Sequence, residues 1–128
     1  IPQERFLSQK EMRDLIYDFV DDYNRGKLEA LMQLISDNAH MDNDMNKESW
    51  RLYYTKLFHE TSKREMFLRN LQFDVVSQGM KAKTHYESKL FYGNNQTPKV
   101  VMGVLEIEAH VENAQPKITF FMNRTLGP

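Results

Sequence analysis

The chain of 128 residues carries 17 Lys and Arg against 18 Asp and Glu, a net charge of −1, 41% hydrophobic residues and no cysteine. This describes one soluble globular domain able to bury a core without staples, and it excludes disulfides and thiolate metal centres. The near-neutral balance argues against nucleic-acid binding through a broad electrostatic field, and no apolar run approaches the ~20 residues of a membrane span. No signal peptide is recognisable. The chain begins at Ile1 rather than Met, so the expectation is a processed product or one domain of a longer, bacterial protein, with the compartment left open.

The first element opens with Ser8-Gln9-Lys10-Glu11, a capping box in which the serine side chain and the glutamate satisfy each other's free amides. Met12, Leu15, Ile16, Phe19, Val20 and Tyr23 follow at spacings of three and four, which predicts a helix over about Gln9 to Tyr23. Asn24-Arg25-Gly26 breaks it, the glycine supplying a left-handed cap. A second, shorter helix carries Leu28, Leu31, Met32, Leu34 and Ile35 and ends at Ser36-Asp37-Asn38. Ala39 to Asp42 reads as a brief strand, Asn43-Asp44 as a turn, and about Lys47 to His59 as a third helix with Trp50, Tyr53, Tyr54, Leu57 and Phe58 on one side.

From Arg64 the apolar period becomes two. Met66 and Leu68 are followed one residue out of phase by Leu71, Phe73 and Val75, a slip that predicts a β-bulge near Arg69-Asn70. Turns at Gln78-Gly79, Gly93-Asn94-Asn95 and Asn113 to Pro116 separate three further strands. The second sets Ala82, Thr84, Tyr86, Ser88 and Leu90 inward, and the third sets Val101, Gly103, Leu105, Ile107, Ala109 and Val111 inward. The last runs over about Lys117 to Asn123 with Ile118, Phe120 and Met122 inward and Phe121 outward. Helices first and strands later is an α+β pattern: a single domain over residues 1–128, ordered over about 9–123, with loose ends at Ile1 to Leu7 and Arg124 to Pro128.

The stretch Phe19-Val20-Asp21-Asp22-Tyr23-Asn24-Arg25-Gly26-Lys27-Leu28-Glu29-Ala30-Leu31, continued by Asp37-Asn38-Ala39 and Asp42-Asn43, resembles the helix, Asn-x-Gly break and second helix of the nuclear transport factor 2-like superfamily. The resemblance implies a cone of α-α-β-α-β-β-β-β order, with three helices in the concave face of a curved antiparallel sheet and a pocket at its mouth. That superfamily holds ketosteroid isomerases, polyketide cyclases, dehydratases and epoxide hydrolases beside many non-enzymatic modules, so the fold does not choose a function. In the isomerase pattern the tyrosine that donates to the oxyanion falls here on Phe19, and the proton-shuttling aspartate on Asn43. Neither side chain does that chemistry, and the expectation is that the catalytic pattern is not retained.

Asp42-Asn43-Asp44-x-Asn46 imitates the opening of a calcium loop, but Lys47 and Tyr53 stand where glycine and glutamate belong, so a helix-capping turn fits better. His40, His59, His85 and His110 form no i, i+4 pair and suggest no zinc site. No metal or cofactor is expected. Lys81, Lys83, His85 and Lys89 make a basic stripe that reads as a solvated outer face. Asn95-Gln96-Thr97 and Asn123-Arg124-Thr125 match a glycosylation sequon that is given no function. Trp50, Tyr53 and Tyr54 either line an apolar pocket or simply pack the core. Under the pocket alternative Tyr23, Met41, Asn43, Trp50, Tyr54 and Tyr86 are the ligand-contacting residues. Val100, Met102, Val104 and Phe121 form an apolar patch on the outer sheet face, which points to a homodimer. Two functions follow: a non-catalytic module that dimerises and holds a small apolar ligand or a partner segment, or a small-molecule lyase, isomerase or hydrolase. A weaker third is a transport adaptor that receives a partner's aromatic side chains.

Overall fold

The sequence patterns become eight elements in a computed structural model that describes residues 6–41 and 45–126. Helix α1, Gln9–Arg25, starts with the capping box: Ser8 Oγ accepts from the Glu11 amide at 3.1 Å, and Glu11 accepts from the Ser8 amide at 3.2 Å. Its stripe of Met12, Leu15, Ile16, Phe19 and Tyr23 is buried, and Gly26 closes it at φ 68°. Helix α2 covers Leu28–Gln33, strand β1 Ile35–Met41 and helix α3 Lys47–Glu60. Strands β2, Thr61–Val76, β3, Gly79–Tyr92, β4, Lys99–Glu112, and β5, Gln115–Leu126, complete the order.

The five strands form one curved sheet in the order β1-β5-β4-β3-β2, with the helices packed against its concave face. Strands β2 to β5 are antiparallel neighbours throughout, whereas β1 joins the edge parallel to β5. The inward side chains of β3 and β4 are those read from the alternation, with Ala82, Thr84, Tyr86, Ser88, Leu90, Leu105, Ile107, Ala109 and Val111 all buried. The bulge in β2 also lies where the phase slips. Between the pairs Arg69↔His85 and Gln72↔Lys83 one extra residue is accommodated, and Asn70 takes φ 59° to do it.

The Asn-x-Gly break ties α1 to the free edge of β2. Asn24 Oδ1 accepts from the Met66 amide at 2.8 Å, covering one of the amides that an edge strand leaves open. Arg64, on the inward side of β2, donates through Nε to the Tyr23 carbonyl at 3.0 Å and through Nη1 to the Thr61 carbonyl and hydroxyl at 3.2 and 2.5 Å. Its guanidinium lies 4.7 Å from the centre of the Phe58 ring. A Cβ on residue 26 would stand 2.6 Å from Arg64 Nη2, so Gly26 is required twice, for its backbone conformation and for the space.

Four expectations are corrected. Helix α2 stops at Gln33, and Ile35 and Ser36 belong to β1, which starts four residues before Ala39. The start of β5 captures the end of α2: the Ile118 amide donates to the Leu34 carbonyl at 2.8 Å and Lys117 Nζ donates to the Gln33 carbonyl. The following residues then pair along β5 from Ile35↔Ile118. The ordered part extends past the expected 9–123, because Leu7 is buried and β5 continues to Leu126 opposite Met102, while residues 1–5 and 127–128 lie outside the described residues. Strand β2 begins at Thr61, three residues before the apolar alternation shows it. Phe121 faces inward, 5% exposed, instead of outward. A bulge at Thr119, between the pairs Ala109↔Ile118 and Glu108↔Phe120, shifts the phase so that Ile118 and Phe121 both point into the core while Phe120 and Met122 are only half-buried.

Candidate functional site

Inside the cone, ring packing dominates. Phe19 from α1 lies 6.1 Å from Trp50, 6.4 Å from Tyr54 and 5.6 Å from Phe121, centre to centre. Trp50 stands edge-on to Phe121 at 4.2 Å and to Tyr54 at 5.1 Å, and Tyr54 is edge-on to Tyr23 at 6.2 Å. These tilted and T-shaped arrangements are favourable aromatic geometries. The rings fill the cone, and they also wall two small hollows.

The hollow at the mouth, about 190 Å³, lies among Met41, Met45, Trp50, Tyr53, Tyr54, Phe121 and Asn123. A deeper one of about 90 Å³ reaches Tyr23, Tyr86 and Ser88 and shares Tyr53, Tyr54, Phe121 and Asn123 with the first. Two polar pairs cross the deeper space: Tyr23 Oη with Ser88 Oγ at 2.8 Å, which is buried, and Tyr86 Oη donating to Asn123 Oδ1 at 2.7 Å, which is part-buried because Asn123 is exposed. Gly103 makes room for the second, since a Cβ there would press on the Tyr86 ring at 2.7 Å and on the Arg124 carbonyl. No Asp, Glu, His, Lys or Arg is among the described residues lining either hollow.

The structure thus brings Tyr23, Met41, Trp50, Tyr54 and Tyr86 to the cone interior, while Asn43, like Asp42 and Asp44, lies outside the described residues. Sequence reasoning missed Phe121, Asn123 and Ser88 as site residues. Ser88 was legible as a polar residue on the inward face of β3, but Phe121 and Asn123 reach the cone only because of the Thr119 bulge.

Comparisons with known proteins bear on this arrangement. No family model matches the chain, and no curated protein matches it. Among solved structures, a candidate scytalone dehydratase of Novosphingobium aromaticivorans aligns with a TM-score of 0.83 at 12% identity, over 92% of this chain and 83% of that one. The hexachlorocyclohexane dehydrochlorinase LinA-type3 of Novosphingobium barchaimii aligns at 0.77 and 12% identity, over 93% and 86%. A cystatin-like-fold protein of Nostoc punctiforme aligns at 0.74 and 7% identity, over 95% of both chains.

The chain has the nuclear transport factor 2-like fold. At these identities the likeness concerns the fold alone, and the site has to be read from its own residues.

Within this nuclear transport factor 2-like cone, burial governs the hydroxyls. It pushes Tyr23 up to about 12 against the opposing hydrogen bond from Ser88, drives Tyr54 well above its ordinary value and raises Tyr53. These phenols are neutral hydrogen-bonding groups and not oxyanion bases. A consequence can be measured. Between pH 10 and 12 the unfolded chain releases the Tyr23 proton and the native state keeps it, so this contribution is complete below about pH 10 and is lost as pH rises through 12. At about 1.4 kcal/mol per unit, some 2–3 kcal/mol is expected to disappear. Urea unfolding at stepped alkaline pH should show this loss, and Tyr23→Phe should flatten it.

A larger hollow than either lies elsewhere on this fold. It is an open groove of about 540 Å³ between α1, α2 and the β4–β5 turn, with Glu11, Asp14, Asp18 and Asp22 along one wall. Burial, followed by the neighbouring Asp18 and Asp21, raises the Asp22 carboxyl. On the outer sheet face Lys81 and Lys83 approach Glu106 at 4.0 Å, and His110 Nε2 lies 3.0 Å from Glu108. Among the described residues no three His, Cys, Asp or Glu side chains converge on a metal position, and no helix is long and apolar enough to cross a membrane.

Proposed function

We propose that this domain is a non-catalytic binding and dimerisation module, which holds a small uncharged ligand or a partner's segment in the mouth of its cone. One observation carries the reading: the cone is filled by Phe19, Trp50, Tyr54 and Phe121, and no titrating carboxylate, imidazole or amine is among the described residues lining its hollows. Lyase, isomerase and hydrolase chemistry needs a group that moves a proton near neutral pH, and neutral tyrosines above a serine and an asparagine do not supply one. Phe19, at the position that the isomerase resemblance gives to a donor, is only 1% exposed and touches rings. The enzymatic names of the structural neighbours carry no weight against this at 12% identity.

Dimerisation is supported by the outer sheet face. Val100 and Met102 are 48% and 41% exposed, Val104 is half-buried, and Leu126, paired across from Met102, is 50% exposed. With Phe121 turned inward, Leu126 takes its place in the patch. A second copy is the ordinary way to cover such a surface. Light scattering over a dilution series is expected to give a dimer. Met102→Lys, which places a charge at the patch centre, is expected to weaken association by about a hundredfold or more with unchanged circular dichroism. A monomer at every concentration would remove dimerisation from the reading. Turnover of an unsaturated ketosteroid or of a halogenated cyclohexane would overturn its non-catalytic part.

A further inference from the structure

The hollow at the cone mouth has an excess of hydrogen-bond donors. Asn123 gives its Oδ1 to the Tyr86 hydroxyl, which leaves its amide N–H groups to point elsewhere. The Trp50 indole N–H and the Tyr54 hydroxyl have no hydrogen-bond partner among the described residues, yet both residues are only 5% exposed. Every fully sealed polar side-chain atom among the described residues does have a partner. These two groups therefore open onto space: Trp50 lines the mouth hollow, and Tyr54 lines both that hollow and the deeper one it adjoins. An indole N–H only donates, and an amide whose oxygen is already engaged offers chiefly its N–H groups. Trp50 and Tyr54 thus offer donors at the hollow and Asn123, itself exposed, offers its amide at the rim, an arrangement that favours a ligand carrying an acceptor.

The remaining walls restrict what carries that acceptor. Met41, Met45 and Phe121 are apolar, and no charged side chain is among the described lining residues, so an ionised ligand would lose its hydration without gaining a counter-charge. The volume of about 190 Å³ suits one ring, since an apolar cavity of about 150 Å³ accepts benzene. Aromatic edges from Trp50 and Tyr54 favour a flat partner, and the two methionines adapt to its outline. Resting on the binding reading above, we infer that the cone mouth takes a neutral one-ring aromatic carbonyl compound, its ring among Met41, Trp50 and Phe121 and its oxygen accepting from Trp50, Tyr54 or Asn123.

Trp50 is the sole tryptophan, so a ¹⁵N-labelled sample shows one indole N–H resonance that reports on the site directly. The probes are acetophenone, α-methylstyrene, which has the same outline with CH₂ in place of the oxygen, and benzoate, the anion of similar size. Acetophenone is expected to shift the indole signal downfield to saturation, binding about tenfold or more tighter than either comparator, as for a site built to pair a polar group. Tyr54→Phe, which keeps the ring, is expected to weaken acetophenone about five- to tenfold and leave α-methylstyrene unchanged. Equal binding of acetophenone and α-methylstyrene would overturn the inference and leave the binding module standing. Tighter binding of benzoate would overturn the neutral class alone. An indole signal unmoved by all three at millimolar concentration would overturn the inference together with small-ligand binding, while the dimer measurement would still test the rest of the functional reading.

Discussion

Replacing Phe19 by alanine is expected to destabilise the domain by about 3–5 kcal/mol, the range for deleting a buried aromatic side chain whose cavity cannot collapse. The side chain is 1% exposed and is the ring against which Trp50, Tyr54 and Phe121 all lean. These neighbours come from α3 and β5, so no single element can shift to fill the space. In urea unfolding the midpoint should fall with little change in slope, since the surface exposed on unfolding is almost the same. Trp50 emission should move to longer wavelength as the indole loses its cover. A loss below about 1 kcal/mol would mean that the ring cluster does not hold the cone together.

The second large effect is expected at Arg64. Arg64 is 7% exposed, and its guanidinium has no carboxylate partner among the described residues. It is held by the Tyr23 carbonyl, the Thr61 carbonyl and hydroxyl and the face of Phe58. Carbonyls at the end of α1 carry the negative pole of the helix, which favours a cation there. Burial nevertheless lowers the Arg64 pKa, with the nearby Tyr23 acting in the opposite direction. Arg64→Ala removes two charge-assisted hydrogen bonds to backbone oxygens and the cation over Phe58, an expected cost of about 3–5 kcal/mol. Arg64→Met restores the packing volume without the hydrogen bonds and should recover part of that loss. Hydrogen exchange localises the effect: the Met66 amide, held by Asn24, should exchange faster in Arg64→Ala as α1 loosens from the β2 edge. Full recovery by methionine would mean that Arg64 acts through volume alone.

Local chemistry made much of the fold legible. The capping box of α1, the left-handed Gly26, the alternation of β3 and β4 and the bulge at Asn70 each depend on residues within a few positions of one another. The phase slip between Leu68 and Leu71 was readable because polar neighbours sit on the other side of it. The slip at Thr119 was not. Ile118, Phe120, Phe121 and Met122 are all apolar, so both phases bury hydrophobic surface equally well in one dimension. The edge-on packing of Phe121 on Trp50 at 4.2 Å chooses between them. That choice brought Phe121 and Asn123 into the cone and took Phe121 out of the outer patch.

Taken by itself, the sequence determined the α+β order, the inward faces of the middle strands, the aromatic face of α3 and the Asn-x-Gly break, because hydrophobic period and backbone preference are properties of neighbours along the chain. Tertiary structure alone decided that β1 reaches back to Ile35 and runs parallel to β5, that Asn24 and Arg64 fasten α1 to the sheet edge, and that Trp50, Tyr54 and Asn123 line one hollow. Each of these joins residues 40 or more positions apart, and a pairing of that kind is set by which buried polar groups find partners once the helices rest on the sheet.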